Sequence, residues 1–162
     1  MKEQLEFRQS RNMVDYEPFV TGLSAELGPE FGRSMRNWCG LESRPYPLLE
    51  WEVFIVERDG RPVGVCSYYR QPEDARRRYW IGWIGVLKEE RRHGTGSAML
   101  RAIEDHLQSN FRAREAWVYT DTADAIAFYK ANGYQPAGVF GEQHLMQAAA
   151  REESAVLRKV LA

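Results

Sequence analysis

The stretch WIGWIGVLKEERRHGTGSAML, residues 80–100, runs from apolar β-formers through a basic turn directly into an amphipathic helix. Its first part reads as a long strand over residues 79–87, dense in Trp, Ile and Val. Gly82 and Gly85 inside that strand mark a bulge or a close backbone approach, because glycine otherwise weakens a strand. Arg91-Arg92-His93-Gly94-Thr95-Gly96 then opens a helix over residues 94–111. Met99, Leu100, Ile103, Leu107 and Phe111 form its buried face, and Arg101, Glu104, Asp105 and Gln108 face outward. The first N–H groups of a helix have no intrahelical partner and carry the positive end of the macrodipole. Glycines let such a backbone approach a phosphate. Thr95 and Ser97 add hydroxyls, and Arg91 and Arg92 add charge at the mouth, so the turn reads as an anion cradle. It fits neither common phosphate fingerprint: no lysine follows Gly96, and Met99 stands where a dinucleotide loop needs its third glycine.

On the N-terminal side the period changes from helix to strand. Leu5 and Phe7 suggest a short opening strand. Tyr16, Phe19, Val20, Leu23 and Leu27 recur at three- and four-residue steps, with Gly28-Pro29 as a stop. Phe31, Met35, Trp38 and Cys39 predict a second helix ending near Gly40, and Pro45 and Pro47 an extended connection. Residues 50–57 and 61–70 are strands joined by Asp59-Gly60, a tight-hairpin signal, and residues 71–78 are a polar loop. On the C-terminal side Trp117, Val118 and Tyr119 form a strand. Thr122 caps a helix over residues 123–132 that stops at Gly133. Strand–helix–strand succession demands a crossover, so part of the sheet is parallel. Residues 142–154 are left open between helix and loop.

The chain's 162 residues, net charge of −1 and 44% apolar content describe one ordinary globular domain over residues 1–162. Twenty-two basic against 23 acidic residues leave no global field for nucleic acid, and no run is long enough for a membrane span. Cys39 and Cys66 have no metal-ligand spacing, and three histidines do not make a zinc set, so no metal is expected. Two unpaired thiols and an N-terminus without an apolar leader predict a cytoplasmic protein.

Arg91-x-x-Gly94-x-Gly96 after a strand ending in Val86 resembles the acyl-CoA pyrophosphate loop of the GNAT superfamily of N-acetyltransferases. A second segment agrees: Ala125-Ile126-Ala127-Phe128-Tyr129-Lys130-Ala131-Asn132-Gly133-Tyr134 is similar to that superfamily's A-x-x-F-Y-x-x-x-G-[FY] helix. The layout matches over residues 4–140. The resemblance implies an α/β (α+β) fold: a single domain with a mixed, mostly antiparallel sheet, splayed central strands and flanking helices. It also implies a closing antiparallel strand near residues 154–161.

The implied function is transfer of an acetyl group from acetyl-CoA to a primary amine, on a small molecule or a peptide, by direct attack in a ternary complex. The resemblance assigns backbone groups of Ile84 and Val86 to the acetyl carbonyl and pantetheine, and Arg91, Arg92, His93, Gly94, Thr95, Gly96 and Ser97 to the pyrophosphate. Tyr129 matches the acid that protonates the departing thiolate, and Thr122 stands where many relatives place an asparagine near the cofactor. Trp80 replaces the strand glutamate that some relatives use as base; a water chain, Glu50, Glu52 or Asp121 is left for that proton. His93 reads as a backbone donor, His106 as packing, and His144 as a candidate for the acceptor pocket. Tyr68, Tyr69, Tyr79, Trp80 and Trp83, with Trp38 or Tyr46, supply aromatic faces for an amine. Arg76-Arg77-Arg78 reads as a solvated turn. Homodimers are common among relatives. The competing function is a catalytically silent acyl-CoA-binding regulatory module, kept open by the missing strand carboxylate.

Overall fold

The computed structural model describes residues 4–9, 16–38, 49–120, 122–139 and 155–161. The elements are β1 (Leu5–Gln9), α1 (Glu17–Leu27), α2 (Pro29–Trp38), β2 (Glu50–Arg58), β3 (Arg61–Arg70), β4 (Arg78–Val86), a 3₁₀ turn (Lys88–Glu90), α3 (Thr95–Phe111), β5 (Glu115–Thr120), α4 (Ala123–Ala131), β6 (Gln135–Val139) and β7 (Ala155–Val160). The strands form one sheet in the order β1-β2-β3-β4-β5-β7-β6. β1 is antiparallel to β2, and β7 is antiparallel to both β5 and β6, whereas β4 and β5 are parallel. The mixed, mostly antiparallel sheet is therefore as expected. The β4–β5 register holds over three pairs, Arg78↔Glu115 to Trp80↔Trp117, although β4 itself runs on to Val86. A register that ends this early is what splayed central strands require.

Contacts gather into two compact units. The first contains β1, α1, α2, β2, β3 up to Tyr68, β4 from Gly82, and α3 up to Ile103. Asp59 and Gly60 both take positive φ, 52° and 72°, which is the twist a two-residue hairpin needs. Val53, Ile55, Val63, Val65, Met99 and Leu100 are fully buried. Pro29 does more than stop α1: with Gly28 ending that helix, Pro29 opens α2, where its missing N–H costs nothing. Two strand glycines let helices come close. A Cβ on Gly85 would sit 2.6 Å from Leu27 Cδ1 of α1, and one on Gly64 would sit 2.8 Å from the Gly85 carbonyl oxygen and 3.0 Å from Met99 Sδ of α3. Phe31 of α2 packs edge-on against Trp83 at 5.3 Å.

The second unit contains the start of β4, the rest of α3, β5, α4, β6 and β7. Thr122 caps α4 as expected, its hydroxyl accepting from the Ala125 N–H at 3.2 Å. Glu104 departs from its expected outward place. It is buried on α3, where Lys159 Nζ of β7 donates to it at 2.9 Å and the Tyr134 hydroxyl at 3.2 Å. β6 is an addition to the sequence reading: Pro136 and Gly138 look like strand breakers, but β6 lies at the end of the strand order, where proline is tolerated, and its register shifts between Pro136 and Val139. The closing strand, β7, is present. In the loop between β3 and β4, Asp74 turns inward. Its Oδ1 accepts from Trp80 Nε1 at 2.9 Å and its Oδ2 from the Gln71 N–H at 2.7 Å. Burial raises the Asp74 carboxyl above its ordinary value, against the opposing pull of those hydrogen bonds and of Arg78 and Arg70. Cys39, Pro45, Pro47 and residues 142–154 lie outside the described residues.

Two predictions follow from this packing. Gly64→Ala should cost about 1–3 kcal/mol in urea unfolding, because rigid backbone blocks the methyl. Gly85→Ala should cost less, since Leu27 can rotate away, and the reverse order would contradict the account. A carboxyl raised on folding binds its proton more tightly in the folded state, so it favours folding at low pH and disfavours it as pH climbs from about 4 through the raised value. Stability of the wild type should therefore fall relative to Asp74→Asn over that climb, measured by chemical denaturation at successive pH values.

Candidate functional site

The turn between β4 and α3 lies within the first unit. The Leu87 N–H donates to the Val63 carbonyl at 3.0 Å, tying the end of β4 to β3. The Arg91 N–H donates to Lys88 O, and the Ala98 N–H donates to Gly94 O at 3.0 Å at the start of α3. Between them, among the described residues, the N–H groups of residues 92–96 make no close backbone hydrogen bond. Arg92 and Gly94 take positive φ, 62° and 78°. Alternation of this kind folds successive N–H groups into a concavity suited to an anion. Residues 91–94 are exposed, Gly96 and Ser97 are half-buried, and Thr95 is buried. A Cβ on Gly94 would meet nothing within 4 Å, so the positive φ, not crowding, selects glycine there.

Side chains around the turn are already engaged. Arg91 Nη2 pairs with Glu26 of α1 at 2.9 Å, and its Nε donates to the Val86 carbonyl at 3.2 Å. Thus the expected mouth charge is partly neutralised, and one of the strand carbonyls assigned to pantetheine has a donor. Arg58, at the end of β2, donates from Nη2 to Thr95 Oγ1 at 3.1 Å, and its Nε lies 3.4 Å from Glu90. Arg58, Asp59, Arg61, Glu89, Glu90 and His93 line an open groove of about 520 Å³. His93 is exposed, and Ile84 and Val86 are half-buried.

The second unit holds Tyr129 and Thr122, both on α4 or its cap. Tyr129 is buried, edge-on to Phe128 at 5.1 Å and to Tyr134 at 5.4 Å. Among the described residues nothing hydrogen-bonds its hydroxyl. Burial pushes that phenol well above its ordinary pKa, so it keeps its proton. Trp80 is fully buried, and its indole N–H is committed to Asp74. Of the carboxylates considered for the base, Glu50 accepts from the Tyr79 hydroxyl, Glu52 is half-buried, and Asp121 lies outside the described residues. His106 contacts Asn110 and Phe111 on its own helix, which suits packing.

His144, Tyr46 and the Trp38 side chain also lie outside the described residues. Tyr68, Tyr69, Tyr79 and Trp80 are buried, and Trp83 is half-buried. Arg78 stacks 4.3 Å above the Trp117 ring beside Glu115, so this part of the arginine run is held rather than solvated. Cys66 is buried, and burial holds it as a thiol. Sequence reasoning missed Asp74, Glu26 and Arg58. For Asp74 there was a signal: a tryptophan on an inward strand position needs an acceptor for its N–H. For Glu26 and Arg58 there was none.

The profile of the acetyltransferase (GNAT) family matches residues 23–134. No curated protein matches the chain. Solved structures of the same fold include a GNAT-family protein from Desulfovibrio desulfuricans, with 17% identity, a TM-score of 0.75, and 98% of this chain and 100% of that one covered. A second is N-acetylglutamate synthase from Neisseria gonorrhoeae, complexed with coenzyme A and N-acetyl-glutamate. It shows 14% identity and a TM-score of 0.71, with all of this chain but 36% of that one covered. A third is the ribosomal-protein-S18-alanine N-acetyltransferase from Escherichia coli, at 15% identity and a TM-score of 0.68, covering 98% and 95%. At such identities these structures speak for the fold. The family profile spans well over half of the sequence, and the chain belongs to the acetyltransferase (GNAT) family.

Proposed function

We propose that the protein transfers an acetyl group from acetyl-CoA to a primary amine by direct attack in a ternary complex. The observation that carries this reading is the run of N–H groups at residues 92–96 that, among the described residues, make no close backbone hydrogen bond, at the N-terminus of α3. A diphosphate supplies acceptors for such groups and lies at the favourable end of the helix dipole. The exposure of residues 91–94 and the open space beside Gly94 leave room for it. The residues present therefore fit the thioester carrier.

In the reaction the amine nitrogen forms a bond to the thioester carbonyl carbon, the carbon–sulfur bond breaks, and the departing sulfur takes a proton. Backbone groups of Ile84 and Val86 are assigned to hold the carbonyl and the pantetheine arm, which requires Arg91 Nε to release the Val86 carbonyl. Tyr129 is assigned the proton donation. The protonated phenol can donate a hydrogen bond to the departing sulfur, but burial raises its pKa and so opposes full proton transfer, which makes the role depend on close positioning beside the sulfur. The amine must lose its own proton first. With Trp80 in place of a strand carboxylate, a water chain is our choice for that step. The acceptor is a small-molecule or peptide amine; among the neighbours above, one is named for an amino acid and another for a protein alanine.

The buried, committed Trp80 favours a second reading, an acyl-CoA-binding module without turnover. Release of free thiol from acetyl-CoA across an amine panel separates the two: turnover with any amine removes the module.

Acetyl-CoA and CoA should raise the melting temperature while ATP and NAD do not, and Gly94→Glu should abolish the rise by charge and bulk. A rise with NAD or ATP alone would sink the reading. Tyr129→Phe should lower kcat on the order of 10²-fold, the usual size of an acid's contribution, and leave CoA affinity nearly unchanged. Equal turnover in the two proteins would remove the acid role.

A further inference from the structure

Arg58 touches both ends of the turn that the proposed function assigns to the diphosphate. Its Nε lies 3.4 Å from Glu90, the residue before Arg91, and its Nη2 donates at 3.1 Å to the hydroxyl of Thr95, the residue after Gly94. The contacts are shielded: the Arg58 and Glu90 side chains are 21% and 13% exposed, and Thr95 is 3% exposed. The Nη2 bond to Thr95 is a charge-assisted hydrogen bond and the Nε approach to Glu90 is an ion pair without hydrogen-bond geometry. Shielded contacts of both kinds hold geometry better than surface pairs do. The turn needs holding. Arg92 sits at a φ of 62°, a conformation a non-glycine residue leaves readily when nothing enforces it. Amides that already point outward spare the ligand the cost of ordering them. Arg58 comes from the far side of a tight hairpin whose strands are packed in the core, so it is itself anchored.

We propose that Arg58 is a positioning residue for the cradle: its planar fork braces Glu90 and Thr95 so that the amides between them stay arranged for a diphosphate. The inference rests on the acetyl-CoA reading of this turn. Lysine cannot do the same work, because one ammonium at the end of a flexible stem does not span two partners in fixed directions. The Thr95 oxygen accepts inside the brace, and its own O–H stays available as a donor.

The test is a double-variant cycle read by calorimetric binding of CoA, with Arg58→Ala, Thr95→Val and the pair. Each single variant should weaken CoA by about tenfold, in the range of one lost charge-assisted bond, and the pair should be no weaker than the worse single. Arg58→Lys, which keeps the charge and serves if Arg58→Ala folds poorly, should fall between wild type and alanine. In the free protein, backbone amide NMR order parameters at residues 92–96 should fall in Arg58→Ala while those of the rest of α3 stay unchanged. Losses that multiply in the pair overturn the proposal, since Arg58 then meets the ligand independently of Thr95. Wild-type affinity in Arg58→Ala or Arg58→Lys also overturns it, and leaves the acetyl-CoA reading standing. Failure of the wild type to bind CoA removes both.

Discussion

Backbone amides at residues 92–96 that make no close backbone hydrogen bond among the described residues, gathered at the start of α3, are the constraint on which the site depends. A helix cannot satisfy its own first N–H groups, and this one begins straight after an exposed turn. The surrounding structure is spent on keeping that arrangement open. Leu87 pins the end of β4 to β3, the buried face of α3 fixes where its first turn lies, and Arg58 and Arg91 reach the turn from β2 and toward α1. Remove the rigid frame and the amides would no longer converge on one point.

That frame is tight because glycine replaces side chains where elements meet. Gly85 admits Leu27 of α1, and Gly64 admits Met99 of α3, on neighbouring strands of one compact unit. Each approach brings a helix nearer the end of β4 than any larger residue would allow. Side-chain charge plays the smaller part. Arg91 is exposed and shared between Glu26 and a carbonyl, an arrangement worth little by itself in water.

Much of this was legible in the sequence because local chemistry and tertiary need coincide there. Asp59-Gly60, Thr122 before α4 and the apolar stripe of α3 each specify their element without outside help. The cradle was legible for the same reason: positive φ at Gly94 is written in the residue type. What was hidden depends on partners distant in the chain. Glu104 looks like a surface residue on its helix until Lys159 and Tyr134 arrive. Asp74 looks like loop polarity until the indole of Trp80 is seen to need it. β6 was lost because Pro136 and Gly138 argue against a strand, and only its place at the end of the sheet excuses them. Arg58 carries a role set wholly by long-range contact, which periodicity has no means to express.

One topological detail bears on how the chain is made. β7 comes last among the strands in sequence yet lies between β5 and β6 in the sheet, six residue pairs deep against β5. During synthesis, β6 therefore leaves the ribosome with its only described strand neighbour still unbuilt, and β5 waits with one edge bare. The buried carboxylate of Glu104 likewise lacks its cation until Lys159 emerges. The pairing of β5, β7 and β6 can therefore be completed only once β7 has emerged.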